Sequence, residues 1–141
     1  FIGDISQFDQ TLIEQMKKSE ELTYCEPKNK KLDLVVAASY GGRWDIVNAI
    51  NKIQDSRSNQ VITEESFSTF LSTSSFKDPD LCIRTGNELR VSNFLLWQLA
   101  YSELYFPNIL WPDFDDNQFD DALEEYSKRS RRFGDKSNFQ I

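Results

Sequence analysis

Asp80 to Phe106 reads DLCIRTGNELRVSNFLLWQLAYSELYF. Asp80-Leu81-Cys82-Ile83 is a short apolar run that stops at Arg84 and predicts a strand. Thr85-Gly86-Asn87 follows as a turn. Ser92 or Asn93 stands where it can cap a helix running through Trp97 and Leu99. Leu104-Tyr105-Phe106 predicts a second strand. Helix alternating with strand along the chain points to an α/β layer structure with a largely parallel sheet.

The same stretch carries chemistry. Arg84 and Arg90 lie six residues apart, and Ser92 follows the second by two. Guanidinium forks match phosphate oxygens bidentately, and a serine hydroxyl adds a donor, so the trio suits a diphosphate. Arg84 falls at a strand's carboxyl end, where α/β sheets collect ligands. Arg90 and Ser92 fall at the expected mouth of the helix, where backbone N–H groups favour an anion. The bland alternative is that both arginines only pair with the chain's many acids. Glu103, eleven residues after Ser92, is either a solvated glutamate following a helix or one carboxylate of a Mg²⁺ site. Mg²⁺ takes one or two carboxylates plus water and phosphate oxygens.

Upstream, Phe8, Leu12 and Met16 recur at helical spacing between Ser6 and about Leu22, with Ile13 beside them. Phe1-Ile2-Gly3-Asp4 resembles the end of a buried strand followed by a turn, which suggests a missing upstream segment. Leu32 to Ala38, LDLVVAA, reads as a strand buried on both faces, as a parallel sheet requires. Gly41-Gly42 ends it in a tight turn. The pair matches neither a Rossmann nor a Walker A phosphate loop. Ile46, Val47, Ile50 and Ile53 mark the next helix. After a polar loop at Asp55 to Gln60, Thr63 caps a short helix carrying Phe67, Phe70 and Leu71. A loop follows from Ser72 to Asp80.

Downstream, Asp113-Phe114-Asp115-Asp116-Asn117-Gln118-Phe119-Asp120-Asp121 is an acidic run. The DDxxD metal motif of trans-type prenyltransferases would need a third acid at Phe119; the spacing here is DDxxxD. The better reading is a helix start. That helix presents Phe119, Leu123 and Tyr126 on one face and ends in Lys128, Arg129, Arg131 and Arg132, acids first and bases last, as the dipole favours. Residues after Gly134 read as a flexible tail. Trp97, Trp111 and most of the phenylalanines are expected in the core, although some could line a lipid tunnel.

Composition bounds the function. The 141 residues fit one domain, and eleven Phe, five Tyr and three Trp suffice for a core. A net charge of −7 argues against a nucleic-acid binder, which needs a basic face. There is no histidine, which excludes Ser-His-Asp and Cys-His catalysis and His-ligated metal within the chain. Cys25 and Cys82 are far apart and read as reduced thiols. No apolar run approaches the roughly 20 residues that span a membrane.

These segments, taken in order, resemble the cis-prenyltransferases, the undecaprenyl diphosphate synthase family. The likeness rests on IGD at Ile2 to Asp4, LDLVVAASYGGRWDIV at Leu32 to Val47, and PDLCIRTGNELRVSNFLLWQLAYSELYF at Pro79 to Phe106. WPDF at Trp111 to Phe114 and RRFG at Arg131 to Gly134 complete it. The resemblance implies an α/β fold with a largely parallel central sheet flanked by helices, the N-terminal part of the domain being absent. Residues 1–134 would be the C-terminal part of a single domain, and 135–141 the tail. It implies a homodimer that adds isopentenyl diphosphate units in cis to farnesyl diphosphate with Mg²⁺, in the cytoplasm. Arg84, Arg90, Val91 and Ser92 would bind isopentenyl diphosphate, and Glu103 would be the Mg²⁺ ligand. The family's metal-binding Asp, its basic clamp for the allylic diphosphate and its catalytic Asn have no match here, so the chain alone is expected to be inactive. Leu89 stands where some relatives have a His able to join the metal shell, and Ser39 where some have Asn. A non-catalytic accessory subunit of a heteromeric enzyme is the alternative, but such subunits often lose the residues retained here.

Overall fold

The computed structural model describes residues 1–56 and 61–130, within two compact units, Phe1–Lys77 and Asp78–Ile141. RRFG, the tail and most of the loop after Asp55 lie outside the described residues. The chain is α/β, and every strand pairing among the described residues is parallel.

In the first unit, a single 3₁₀ turn at Ile5–Gln7 leads into helix α1, Gln10–Thr23. The Asp9 carboxylate caps α1 by accepting from the Leu12 amide at 3.0 Å. Phe8, Leu12, Ile13 and Met16 are half-buried while their neighbours are exposed, as their spacing predicts. Helix α2 spans Gly42–Asp55 and starts directly after the double glycine. Helix α3, Glu64–Ser68, begins at a capping box. The Thr63 hydroxyl accepts from the Ser66 amide, and the Ser66 hydroxyl accepts from the Thr63 amide.

One expectation for this unit fails. Leu32–Ala38 is not a strand buried on both faces. It makes one parallel bridge, Ala37 to Ile2, and Leu32 and Leu34 are 79% and 82% exposed. A strand buried on both faces needs neighbours and covering layers, and Ile2 supplies one short stretch of pairing. Helix α2 forms where Ile46, Val47, Ile50 and Ile53 mark it, with Ile46 and Ile53 half-buried and Val47 and Ile50 exposed. The buried line is instead Gly42, Asp45 and Ala49, three small or polar residues at helical spacing. Asp45 keeps its buried carboxylate satisfied. Oδ1 accepts from the Ser72 amide at 2.9 Å and the Ser72 hydroxyl at 2.7 Å, and Oδ2 from the Tyr40 hydroxyl at 2.9 Å.

Gly3 is fixed by close approach. Its φ is +115°, and a Cβ there would sit 2.1 Å from the Ala38 carbonyl oxygen. Only glycine lets the chain turn away while Ile2 stays paired.

In the second unit, β1 (Leu81–Ile83) pairs in parallel with β2 (Glu103–Tyr105), with Cys82 opposite Leu104. Helix α4 runs Asp116–Lys128 behind an Asp115 cap, whose carboxylate accepts from the Gln118 amide at 3.0 Å. Ala122 is the buried residue of α4, while Phe119 and Leu123 are partly exposed. Trp111, expected in the core, is 73% exposed and stacks on Phe114 with centroids 6.0 Å apart. The helix expected from Ser92 or Asn93 through Leu99 does not form. Ser92, Asn93 and Leu95 have φ of +45°, +62° and +44°, and left-handed residues in succession break the α path. The segment is a chain of turns, joined by bonds such as Phe94 N–H to Val91 O at 3.0 Å.

Candidate functional site

The carboxyl end of β1 enters a loop held at several points. The Arg84 amide donates to the Tyr105 carbonyl at 2.9 Å, and the Gly86 amide to the Ile109 carbonyl at 2.8 Å. The Arg84 guanidinium turns back along the loop and donates through Nη1 to the Arg90 carbonyl. Gly86 and Asn87 take positive φ, +88° and +58°, so Thr-Gly-Asn supplies the residues a reversal of this kind needs.

This closure shapes a cavity of about 280 Å³ lined by Cys82, Arg84, Val91, Ser92, Phe94 and Phe106, together with Ile83. Of the four residues proposed from sequence for a diphosphate, Arg84, Val91 and Ser92 line it. Arg90 does not. It is two-thirds exposed and pairs with Glu88 at 2.6 Å. The expected helix mouth is absent, so the donors here are side chains and turn backbone rather than a helix terminus. The lining residues divide into two polar ones, Arg84 and Ser92, and aromatic, aliphatic and thiol side chains. A small anion carrying a short apolar group fits that division. Burial pushes the Cys82 thiol above its ordinary pKa, with Arg84 opposing the shift, so this cysteine stays a thiol on the cavity wall. Both cysteines are free.

Glu103 begins β2 rather than following a helix. Its Oε2 lies 3.0 Å from Arg129 Nη1, and that nitrogen also donates to the Leu104 carbonyl at 2.9 Å. A carboxylate is the hard oxygen donor Mg²⁺ takes, but here Arg129 already balances its charge. No group of three or more acids, cysteines or histidines converges among the described residues. In the acidic run after Trp111, Asp115 caps α4, as the helix-start reading expects. No helix among the described residues is long and apolar enough to cross a membrane.

Sequence reasoning missed Asp45 and Arg129. Asp45 was legible as an acid spaced three and four residues from Gly42 and Ala49, on a line of small side chains. Arg129 was read only as one of several bases complementing the dipole of α4.

Comparison with known proteins supplies the context. Residues 1–134 match the undecaprenyl diphosphate synthase family model, Prenyltransf. An isoprenyl transferase of Nitrosomonas europaea is 48% identical over 135 residues, covering 94% of this chain and 50% of that protein. A ditrans,polycis-undecaprenyl-diphosphate synthase ((2E,6E)-farnesyl-diphosphate specific) of Wigglesworthia glossinidia brevipalpis is 49% identical over 138 residues, covering 94% and 52%. The lavandulyl diphosphate synthase of Lavandula x intermedia, solved with dimethylallyl diphosphate, superposes with a TM-score of 0.86 at 39% identity, over 95% of this chain and 58% of that one. The chain thus spans about half the length of the curated relatives it matches.

Proposed function

Because the chain belongs to the undecaprenyl diphosphate synthase family, we propose that it works as part of a cis-prenyltransferase adding isopentenyl diphosphate units to farnesyl diphosphate. The product would be a long polyprenyl diphosphate such as undecaprenyl diphosphate. The observation that carries this reading is the cavity in which Arg84, Val91 and Ser92 meet Phe94 and Phe106. Arg84 and Ser92 would hold the diphosphate of the isopentenyl unit, and the aromatic wall its five-carbon chain. Arg90, the neighbour of the lining residue Val91, would reach the same diphosphate once it leaves Glu88.

Glu103 enters the proposal as one carboxylate donor for Mg²⁺, at the cost of its pairing with Arg129; the other donors would come from phosphate, water and acids outside this chain. When bound, the ion would neutralise diphosphate charge. A homodimer with Glu103 near its boundary, acting in the cytoplasm, belongs to the same reading. Exposed Phe94, Leu96 and Tyr101 on the segment before β2 support it. Light scattering that finds only monomer at high concentration would remove the dimer.

The test is a titration of residues 1–141 with isopentenyl diphosphate, read by amide chemical shifts. Shifts should concentrate on Cys82 to Ser92. Arg84→Gln should weaken binding roughly 10- to 150-fold, the loss expected for a charged hydrogen bond of about 1.5–3 kcal/mol. Undiminished binding by Arg84→Gln and Ser92→Ala would sink the assignment.

A further inference from the structure

We propose that Arg129 is an internal counter-ion that competes with a divalent cation for the Glu103 carboxylate. It is a positioning residue, acting through Glu103, and it sets how readily that carboxylate takes the ion. This rests on the Mg²⁺ reading of Glu103 given above, and it gives a role to a residue outside the diphosphate cavity.

Both partners stand on fixed backbone. The Glu103 amide donates to the Asp80 carbonyl at 2.9 Å, and Glu103 is in register with Leu81. One residue earlier, the Ser102 hydroxyl donates to the Pro79 carbonyl at 2.5 Å. Arg129 is the residue on which α4 ends, and its amide donates to the Tyr126 carbonyl at 3.1 Å. Carboxylate and guanidinium can therefore part by side-chain rotation alone, leaving the strand pair and the helix end in place.

The hydrogen bonds make that parting easy. Arg129 Nη1 carries two hydrogens, and it has two acceptors, Glu103 Oε2 at 3.0 Å and the Leu104 carbonyl at 2.9 Å. Glu103 Oε1 accepts no hydrogen bond among the described residues. An incoming cation thus meets one open oxygen. When Arg129 releases the other, it keeps the Leu104 carbonyl, so neither partner is left without a bond.

Charge sets the direction of the effect. A cation arriving at Oε1 meets the positive charge already seated on Oε2, and it binds fully only as that charge withdraws. Arg129 and Glu103 are 34% and 25% exposed, so water screens the pair in part. A pair of this exposure is worth about fivefold in affinity, the equivalent of about 1 kcal/mol. A pair that served only to order Glu103 would act in the opposite sense. Losing Arg129 would then loosen the carboxylate and weaken its hold on the cation.

The experiment titrates residues 1–141 with Mn²⁺, which takes the same oxygen donors as Mg²⁺. It reads paramagnetic broadening of the Glu103 and Leu104 amide signals. Arg129→Met should lower the Mn²⁺ concentration at half-broadening about fivefold. Arg129→Lys keeps the charge and should stay within about twofold of the wild type. Lys128→Met removes a neighbouring charge that pairs with Glu124 at 2.8 Å, and should leave the midpoint where it is. An unchanged or raised midpoint in Arg129→Met would overturn the proposal. So would Arg129→Lys behaving like Arg129→Met, because the charge would then not be the cause. If Arg129→Met does not fold, the wild type decides: its Arg129 Nε signal should move as Mg²⁺ is added, and a static signal overturns the competition. Equal broadening at Glu103 in wild type and Arg129→Met removes Arg129 alone. Broadening in neither removes Glu103 as a metal donor as well, while the isopentenyl diphosphate titration of Cys82 to Ser92 still stands as its own test.

Discussion

Arg129 Nη1 stands 3.0 Å from Glu103 Oε2 and 2.9 Å from the Leu104 carbonyl oxygen. One guanidinium thus ties the residue after α4 to two consecutive positions of β2. Both side chains keep a quarter to a third of their exposure, so solvent screens the pair. A double-mutant cycle of Arg129→Ala and Glu103→Gln in urea should give a coupling of about 1 kcal/mol. Coupling indistinguishable from zero would mean that the pair does not hold α4 to the sheet.

Glu88 holds Arg90 at 2.6 Å, and Arg90 is not among the residues that line the cavity. Glu88→Gln should release the guanidinium and tighten inorganic pyrophosphate binding several-fold at low salt, with the gain shrinking as salt rises. Calorimetric titration at two salt concentrations checks both parts. An unchanged affinity would separate Arg90 from the anion site.

Gly3 and Gly86 are constrained differently. Both have positive φ, but a Cβ on Gly86 meets nothing within 4 Å, whereas one on Gly3 meets the Ala38 carbonyl. Gly86→Ala should cost only the backbone term, about 1–3 kcal/mol. Gly3→Ala should cost more and expose the Ala38 amide to hydrogen exchange. Equal losses in thermal unfolding would contradict the steric assignment.

Ser39 has φ of +48° and accepts from the Asp4 amide at 3.1 Å. Asparagine enters this left-handed region more readily than serine. Ser39→Asn should therefore stabilise the chain by a few tenths of a kcal/mol. A lowered denaturation midpoint would show that the side chain, and not the backbone, governs this position.

The Gln118 amide donates to Asp115 and holds its carboxyl below the ordinary value of 3.8. A carboxyl with a depressed folded pKa stabilises the fold above its unfolded value, and that contribution is lost as pH falls through the folded one. Stability should decline in acid below about pH 4. Asp115→Asn, which caps nearly as well, should flatten part of that decline and change little at neutral pH. An unaltered acid profile would remove Asp115 from the cap.

Local signals were legible because they are decided by adjacent residues. Thr63 and Asp115 cap where their sequence places them, and the Cys82 to Arg84 strand end carries the cavity. What failed depends on residues distant in the chain. LDLVVAA has the composition of a buried strand, but burial needs layers that these residues cannot provide. The segment from Ser92 to Leu99 is apolar enough for a helix, yet its left-handed residues follow the closure by which Arg84 reaches Arg90. Asp45 was passed over because an acid near a helix start ordinarily faces solvent.

The register of β1 against β2 also orders events in time. Leu81 meets Glu103, so the pairing must close a loop of about twenty residues that contains no regular helix, an entropic cost met before any ladder bond forms. The α4 helix needs only local contacts and can form within microseconds. Pairing of this kind is slow by comparison. Until it is complete, the run from Phe94 to Leu99 has no fixed place, and a chain still emerging from a ribosome would carry it as an adhesive stretch. In pulse-labelled exchange the amides of Arg84 and Glu103 should gain protection after those of α4. Simultaneous protection would show instead that the anion cradle is born with its neighbours.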